Sequence, residues 1–171
     1  MPNVDRWANI ASIQCVESAA NTLTFKKLET GINLFEKRAW VIGRLAFFIG
    51  GVSATQFNAT GDYLQISLTV SNNMTAICDF SNPSEIDFML IGREDIGTAA
   101  TGMFLENPRI RDWWGLPGGG LIVPPNPLYL AVKGTGLVAA ATVTVRMFYT
   151  TIELKPDEYW ELVEARRIIS S

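Results

Sequence analysis

Carboxylates are the side chains through which this chain could do acid–base chemistry, because its 171 residues include no histidine. That absence removes the commonest general base, the commonest zinc ligand and every Ser-His-Asp or Cys-His arrangement. The acids open to such work are Asp62, Asp79, Glu85, Asp87, Glu94, Asp95, Glu106 and Asp112. Glycoside hydrolysis needs only two carboxyl groups, held ~5 to 10 Å apart in one cleft. Nothing in the spacing converges any two of these, and acids of this kind are mostly solvated. The sequence names no catalytic residue, and an enzyme is not expected.

A second cluster is aromatic and cationic. Trp113 and Trp114 stand beside Arg109 and Arg111, and a flat ring with a guanidinium fork is a stacking platform for a sugar or a base. The competing expectation is burial in the core or at a subunit interface, where aromatic residues and arginine are enriched. Gly118-Gly119-Gly120 lacks the Lys-Ser/Thr ending of a phosphate loop and opens no helix, so its expected role is backbone permissiveness. Cys15 and Cys78 fit no metal motif; they form either one bridge or, as expected here, two buried thiols. The sequon matches at Asn58 and Asn73 read as plain loop residues. No metal or cofactor is called for.

The elements that must position these residues read mostly as strands. Over Asp62 to Val70, Leu64, Ile66, Leu68 and Val70 alternate with polar residues, and Glu85 to Gly92 gives another strand, with Ile86, Phe88 and Leu90 expected to face inward. Further strands are expected at Asn21 to Lys26, Trp40 to Ile49, Arg109 to Trp114, Leu121 to Val123, Leu128 to Lys133 and Thr142 to Leu154, giving eight in all. Residues 1–20, with Trp7, Ile10, Ile13 and Val16 at three-residue spacing, read as a short helix or an ordered arm. A short helical turn is expected over Asn33 to Lys37, and a loop or short helix between Arg93 and Met103. In the last strand the apolar set is odd-numbered through Val143, Val145, Met147 and Tyr149, then even-numbered at Ile152 and Leu154, which predicts a β-bulge at Thr150-Thr151. Pro156 opens a terminal helix of about three turns, with Asp157 and Glu158 at its positive end and Arg166 and Arg167 at its negative end.

Those elements suit one all-β domain: an eight-stranded antiparallel jelly-roll sandwich over 21–154, an N-terminal arm over 1–20, and a C-terminal α-helix over 155–171 that packs on the domain or on a neighbouring subunit. An immunoglobulin-like sandwich is the alternative. With 48% hydrophobic and only 18% charged residues, the chain has less polar surface than a free monomer of its size needs, so some apolar surface is expected to meet other subunits. Trp7, Phe148, Tyr159 and Trp160 are the interface candidates. The net charge of −3 contains no basic run, so direct nucleic-acid binding is not expected. No apolar run reaches the ~18 residues of a membrane span, and the opening residues lack the pattern of a secretion signal.

The strand count, the closing hairpin Leu128 to Leu154, and the Pro117-Gly118-Gly119-Gly120 and Pro124-Pro125-Asn126-Pro127 turns resemble the small single jelly-roll structural proteins of viruses and phages. The resemblance is one of architecture and covers Asn21 to Leu154. It implies a virion location and a capsid subunit or capsid decoration protein, assembling symmetrically with copies of itself through sandwich flanks and terminal extensions, with other virion proteins as further partners. Unlike many of that class, the chain has no Arg/Lys-rich N-terminal arm. The alternative function is a carbohydrate- or receptor-binding β-sandwich that uses Arg109, Arg111, Trp113 and Trp114.

Overall fold

Period-two alternation in most of the chain resolves into two antiparallel sheets packed face to face. The computed structural model describes residues 9–28, 38–50, 57, 59–79, 81–95, 101–102, 109–117, 119–124 and 127–169. The strands are β1 (Asn9–Val16), β2 (Thr24–Leu28), β3 (Arg38–Gly50), β4 (Tyr63–Thr69), β5 (Glu85–Gly92), β6 (Glu94–Asp95), β7 (Thr101–Gly102), β8 (Arg109–Asp112), β9 (Leu121–Val123), β10 (Leu128–Thr135) and β11 (Thr142–Glu153), followed by helix α1 (Pro156–Ile169). One sheet runs β1-β11-β3-β8, with β9 also on β3, and the other runs β2-β10-β4-β5. The pair β6-β7 stands apart from both.

The sandwich therefore has nine strands, where the sequence suggested eight. The added strand is β1, expected as a helix or arm. Its odd-numbered Ile13 and Cys15 are buried, whereas even-numbered Ile10 and Val16 are exposed. Apolar residues on both faces of a strand blur the alternation, and here they mimic a three-residue repeat. Asn33 to Lys37 and residues 96–100 lie outside the described residues.

The core lies between the sheets. Trp40, Ile42, Leu45, Phe47 and Ile49 of β3 meet Leu64, Ile66 and Leu68 of β4, Leu128, Leu130 and Val132 of β10, and Val143, Val145 and Met147 of β11. Trp40 is fully buried, and its ring meets Tyr149 edge-on at 4.5 Å between centroids. Cys15 and Cys78 are free thiols, and burial pushes them up to about 11 and about 12.

The bulge expected at Thr150-Thr151 is not there, since both residues pair regularly with Val41 and Trp40; the irregularity in this ladder lies on the facing strand. Phe148 pairs with Arg44 and Tyr149 with Ile42, so the extra residue is Gly43 of β3. The inward set of β3 changes phase across it, from Trp40 and Ile42 to Leu45, Phe47 and Ile49. β11 keeps its phase through Thr151, which is buried. Ile152 belongs to the outer face, where it packs with Ala39, Val41, Leu154 and Leu162 of α1. A second buried face, not an inserted residue, produced the change of parity.

Helix α1 begins where Pro156 can start it. The Glu158 carboxylate accepts from the Lys155 N–H at 3.1 Å, half of a capping box, and Asp157 and Glu158 face the positive end of the dipole. At 14 residues it runs nearer four turns than the three expected. It covers one end of the five-stranded sheet's outer face and leaves the rest to solvent.

Candidate functional site

The surface that stands out is that uncovered remainder. Even-numbered residues of β1, β8, β11 and the part of β3 after Gly43 point outward from the five-stranded sheet, and several are apolar. Ile10, Val16, Phe48, Ile110, Trp114 and Ile122 are all exposed, Ile10 by 61% and Ile110 by 50%. Register intersperses them with polar residues: Ile10 lies opposite Phe148 and Phe148 opposite Arg44, Ala46 lies opposite both Arg146 and Ile110, Phe48 opposite Thr144, and Val16 opposite Thr142. Single exposed apolar side chains are ordinary, whereas several on one sheet face make it a candidate for contact. Between β3 and β11 the face dips into a depression of about 240 Å³ lined by Ala46, Phe48, Thr144 and Arg146. Beside it Arg44 pairs with Asp112, and within it the Arg146 Nε donates to Ser12 Oγ at 3.4 Å. The Arg44 guanidinium and the Trp114 N–H hold the Asp112 carboxyl below its ordinary range.

Two glycines shape this face. A side chain on Gly43 would strike the Trp114 indole at 2.3 Å, so the bulge residue must be bare for the ring to lie over it. A side chain on Gly120 would meet the Ile42 carbonyl oxygen at 2.6 Å, which is how the Gly-rich turn brings β9 against β3. The expected permissive role of that turn is met at Gly120; Gly118 lies outside the described residues.

The arginine–tryptophan cluster is divided between two sides of the sheet. Arg109 and Arg111 pair with Phe47 and Leu45, both inward-facing residues, and so project toward the opposite sheet. Arg111 Nε lies 3.4 Å from Asp87 Oδ2 of β5, an ion pair bridging the two sheets at their open side. Neither atom makes an aligned hydrogen bond with a described residue, so the contact is one of charge. Burial pushes the Asp87 carboxyl up, and Arg111, the Phe88 N–H and Arg109 pull against that rise. Trp113 packs against the core, and Trp114 alone sits outside, half-exposed over Gly43. The four residues share no single face.

The interface candidates fare differently from one another. Phe148 lies half-buried on the outer face, Trp160 is 60% exposed, Tyr159 is folded home, and Trp7 is outside the described residues. Ile10, Phe48, Ile110 and Ile122 were missed. Their signal was available as apolar residues on the parity that alternation assigns to solvent, such as Phe48 directly after Phe47.

The acids are mostly structural. Glu85 accepts from Ser67 Oγ at 2.7 Å, from the Cys78 N–H at 2.9 Å and from the Asp79 N–H at 3.2 Å. Glu17 is buried and accepts from the Gly134 and Ala141 N–H groups at 2.6 and 2.8 Å. Asp62 accepts from the Ala59 N–H at 2.6 Å. Among the described residues no group of His, Cys, Asp and Glu has the arrangement of a metal site. Glu106 lies outside them.

No family model matches the chain, and no curated protein matches it. Among solved structures, a chain from the X-ray structure of tomato aspermy virus is similar at 11% identity with a TM-score of 0.46, over 87% of this chain and 79% of that one.

Proposed function

We propose that the chain is a virion structural protein, a capsid subunit or a capsid decoration protein, that assembles symmetrically with copies of itself. The observation that carries the assembly reading is the uncovered outer face of the five-stranded sheet. Six large exposed apolar side chains on one sheet face, with Arg44 beside them paired to Asp112, are what a subunit contact needs.

The virion reading is supported by the winding of the strands. When β8 and β9 are taken as one strand interrupted by the Trp113 to Gly120 turn, the antiparallel pairs nest as β4 with β5, β3 with β8 and β9, β2 with β10, and β1 with β11. A long hairpin rolled up in that order gives two Greek keys in two sheets, the jelly roll of small capsid proteins. Genome contacts would fall to other virion proteins, since the sequence has no basic run.

The test is the solution state of the purified chain by mass photometry and negative-stain imaging over a wide range of concentration. Closed particles or stable multimers are expected. A strict monomer throughout overturns the reading.

A further inference from the structure

The two sheets have four lateral edges between them, and they are protected very unevenly. An edge strand presents unpaired N–H and C=O groups, and natural sequences guard it with lysines, with inward-pointing charges or by making it short. β2 carries Lys26 and Lys27, both exposed. β5 carries Glu85 and the inward-pointing Asp87. On the far side of the five-stranded sheet, β8 is four residues with three charges, and β9 is only three residues long. β1 has eight residues, Asn-Ile-Ala-Ser-Ile-Gln-Cys-Val, with no charge, no proline and no break in its register with β11. Among the described residues, no strand pairs with its other side.

The direction of its free groups can be derived. The Glu17 N–H donates to the Ala141 carbonyl at 3.0 Å, which continues the β1–β11 ladder by one step. Odd-numbered residues of β1 therefore turn their backbone groups toward β11, and Ile10, Ser12, Gln14 and Val16 turn theirs toward the open edge.

We infer that β1 pairs antiparallel with β1 of a second copy about a twofold axis through Ile13, joining two five-stranded sheets into one. This rests on the symmetric-assembly reading and names the contact within it. A twofold axis perpendicular to the sheet keeps the same face outward in both copies, so opposed residues share parity. Centring the pair on Ile13 sets Ile10 against Val16 of the second copy and Ser12 against its Gln14. The apolar outer residues then meet each other, and so do the polar ones. All four edge-facing residues exchange both backbone groups in this register, giving ~8 hydrogen bonds. The Ile10–Val16 pairs also extend the apolar outer face across the junction, and cross-strand pairs of this type are stabilising. The lysines of β2 keep the neighbouring sheet from pairing in the same way.

The test uses a proline whose only lost donor is one that faces the edge. Gln14→Pro leaves the β11 ladder intact, so thermal unfolding of the dilute chain should be little changed, whereas the dissociation constant of the smallest multimer should rise at least tenfold. Gln14→Lys, which restores a guard of the β2 type, should weaken association likewise and covers the case in which the proline variant does not fold. Separately, Ser12→Cys and Gln14→Cys chains are co-expressed and mildly oxidised. A disulfide-linked dimer is expected from the mixture and from neither variant alone, because only Ser12 and Gln14 are opposed, at the ~5.5 Å that a disulfide spans. Wild-type chain is the control for its two buried thiols. Wild-type multimers that survive both position-14 substitutions, with no mixed crosslink, overturn the edge pairing and leave the assembly reading standing. A wild-type monomer with no crosslink overturns both.

Discussion

The outer faces of the two sheets are finished in opposite ways. On the four-stranded sheet, the outward residues Gln65, Ser67 and Thr69 are roofed by the segment from Ser71 to Ser84. The Gln65 side chain donates to the Ile77 carbonyl, Ile77 and Ser84 are buried, and the Cys78 thiol donates to the Ile66 and Met89 carbonyls. Glu85 anchors that roof through three hydrogen bonds. On the five-stranded sheet, among the described residues, only the end under α1 is roofed, by Leu162 over Ala39, Val41 and Ile152. The roofed face is polar and internally satisfied, while the bare face mixes exposed apolar residues such as Ile10, Phe48 and Ile110 with polar ones. The proposed assembly would use that difference, with one face closed by the chain's own loop and the other left for a second copy.

Removing the anchor of the roof should have the largest effect. Glu85→Ala strands the part-buried Cys78 N–H, leaves the Ser67 hydroxyl only the Asp87 carbonyl at 3.4 Å and turns the Asp79 N–H to water, and a loss of about 2 kcal/mol is expected in urea unfolding. Cys78 should become reactive toward a thiol reagent in the same variant, and a Cys78 that stays protected would mean that the roof is held by something else.

The two ion pairs that flank β8 sharpen the comparison through their opposite responses to pH. Burial holds the folded value of Asp87 above the ordinary 3.8, so its stabilising contribution is complete below that value and is lost as pH rises through the folded one. Hydrogen bonds from Arg44 hold Asp112 below 3.8, so its contribution is present above that value and is lost as pH falls through the folded one. Asp87→Asn should therefore be within about 1 kcal/mol of wild type at pH 7 and flatten the decline that accompanies ionisation of Asp87 as pH rises above 3.8. Asp112→Asn should flatten the loss on acidification. Stability curves against pH for the two variants that change in the same sense would contradict the two environments described.

The smallest effect on the fold is expected on the bare face. Phe48→Ser should change unfolding stability by no more than about 0.5 kcal/mol. It should nevertheless shift the multimer equilibrium toward the monomer in sedimentation. A marked loss of stability with association unchanged would make Phe48 a member of the fold and not of a contact.

What could be read from the residues tracks how one-sided each element is. β4 and β10 each alternate large apolar inner residues with small or polar ones, and α1 starts at a proline with acids behind it, so all three were legible as elements. The closing hairpin was not, since β10 pairs with β2 and β4 while β11 lies in the other sheet. β1 was not legible either, because Ile10 and Val16 lie on the exposed outer face while Ile13 and Cys15 lie in the core. In β5 an apolar run hid the phase, so that Met89 and Ile91 are buried and Leu90 is exposed where the reverse was expected. The change of parity in β11 was visible but has two physical causes, a bulge or a second buried face, and only the position of α1 separates them. The real bulge left its mark in β3, between Ile42 and Leu45, around a glycine. Arg109, Arg111, Trp113 and Trp114 were correctly grouped along the chain, yet a strand at a sandwich edge sends alternate residues to opposite sides, and that divided them.

The buried Glu17 carboxylate ties the first strand to the turn before the last one, reaching an N–H 124 positions away at Ala141. During synthesis, β1 leaves the ribosome long before β11 exists, so for most of translation both of its sides are bare. A nascent chain of this design must finish before its opening strand can be sheltered, and folding that waits on such distant partners is slow. Crowded polysomes would then bring copies of that unsheltered strand together, and the time spent waiting for β11 sets how much of the chain is exposed to misassembly.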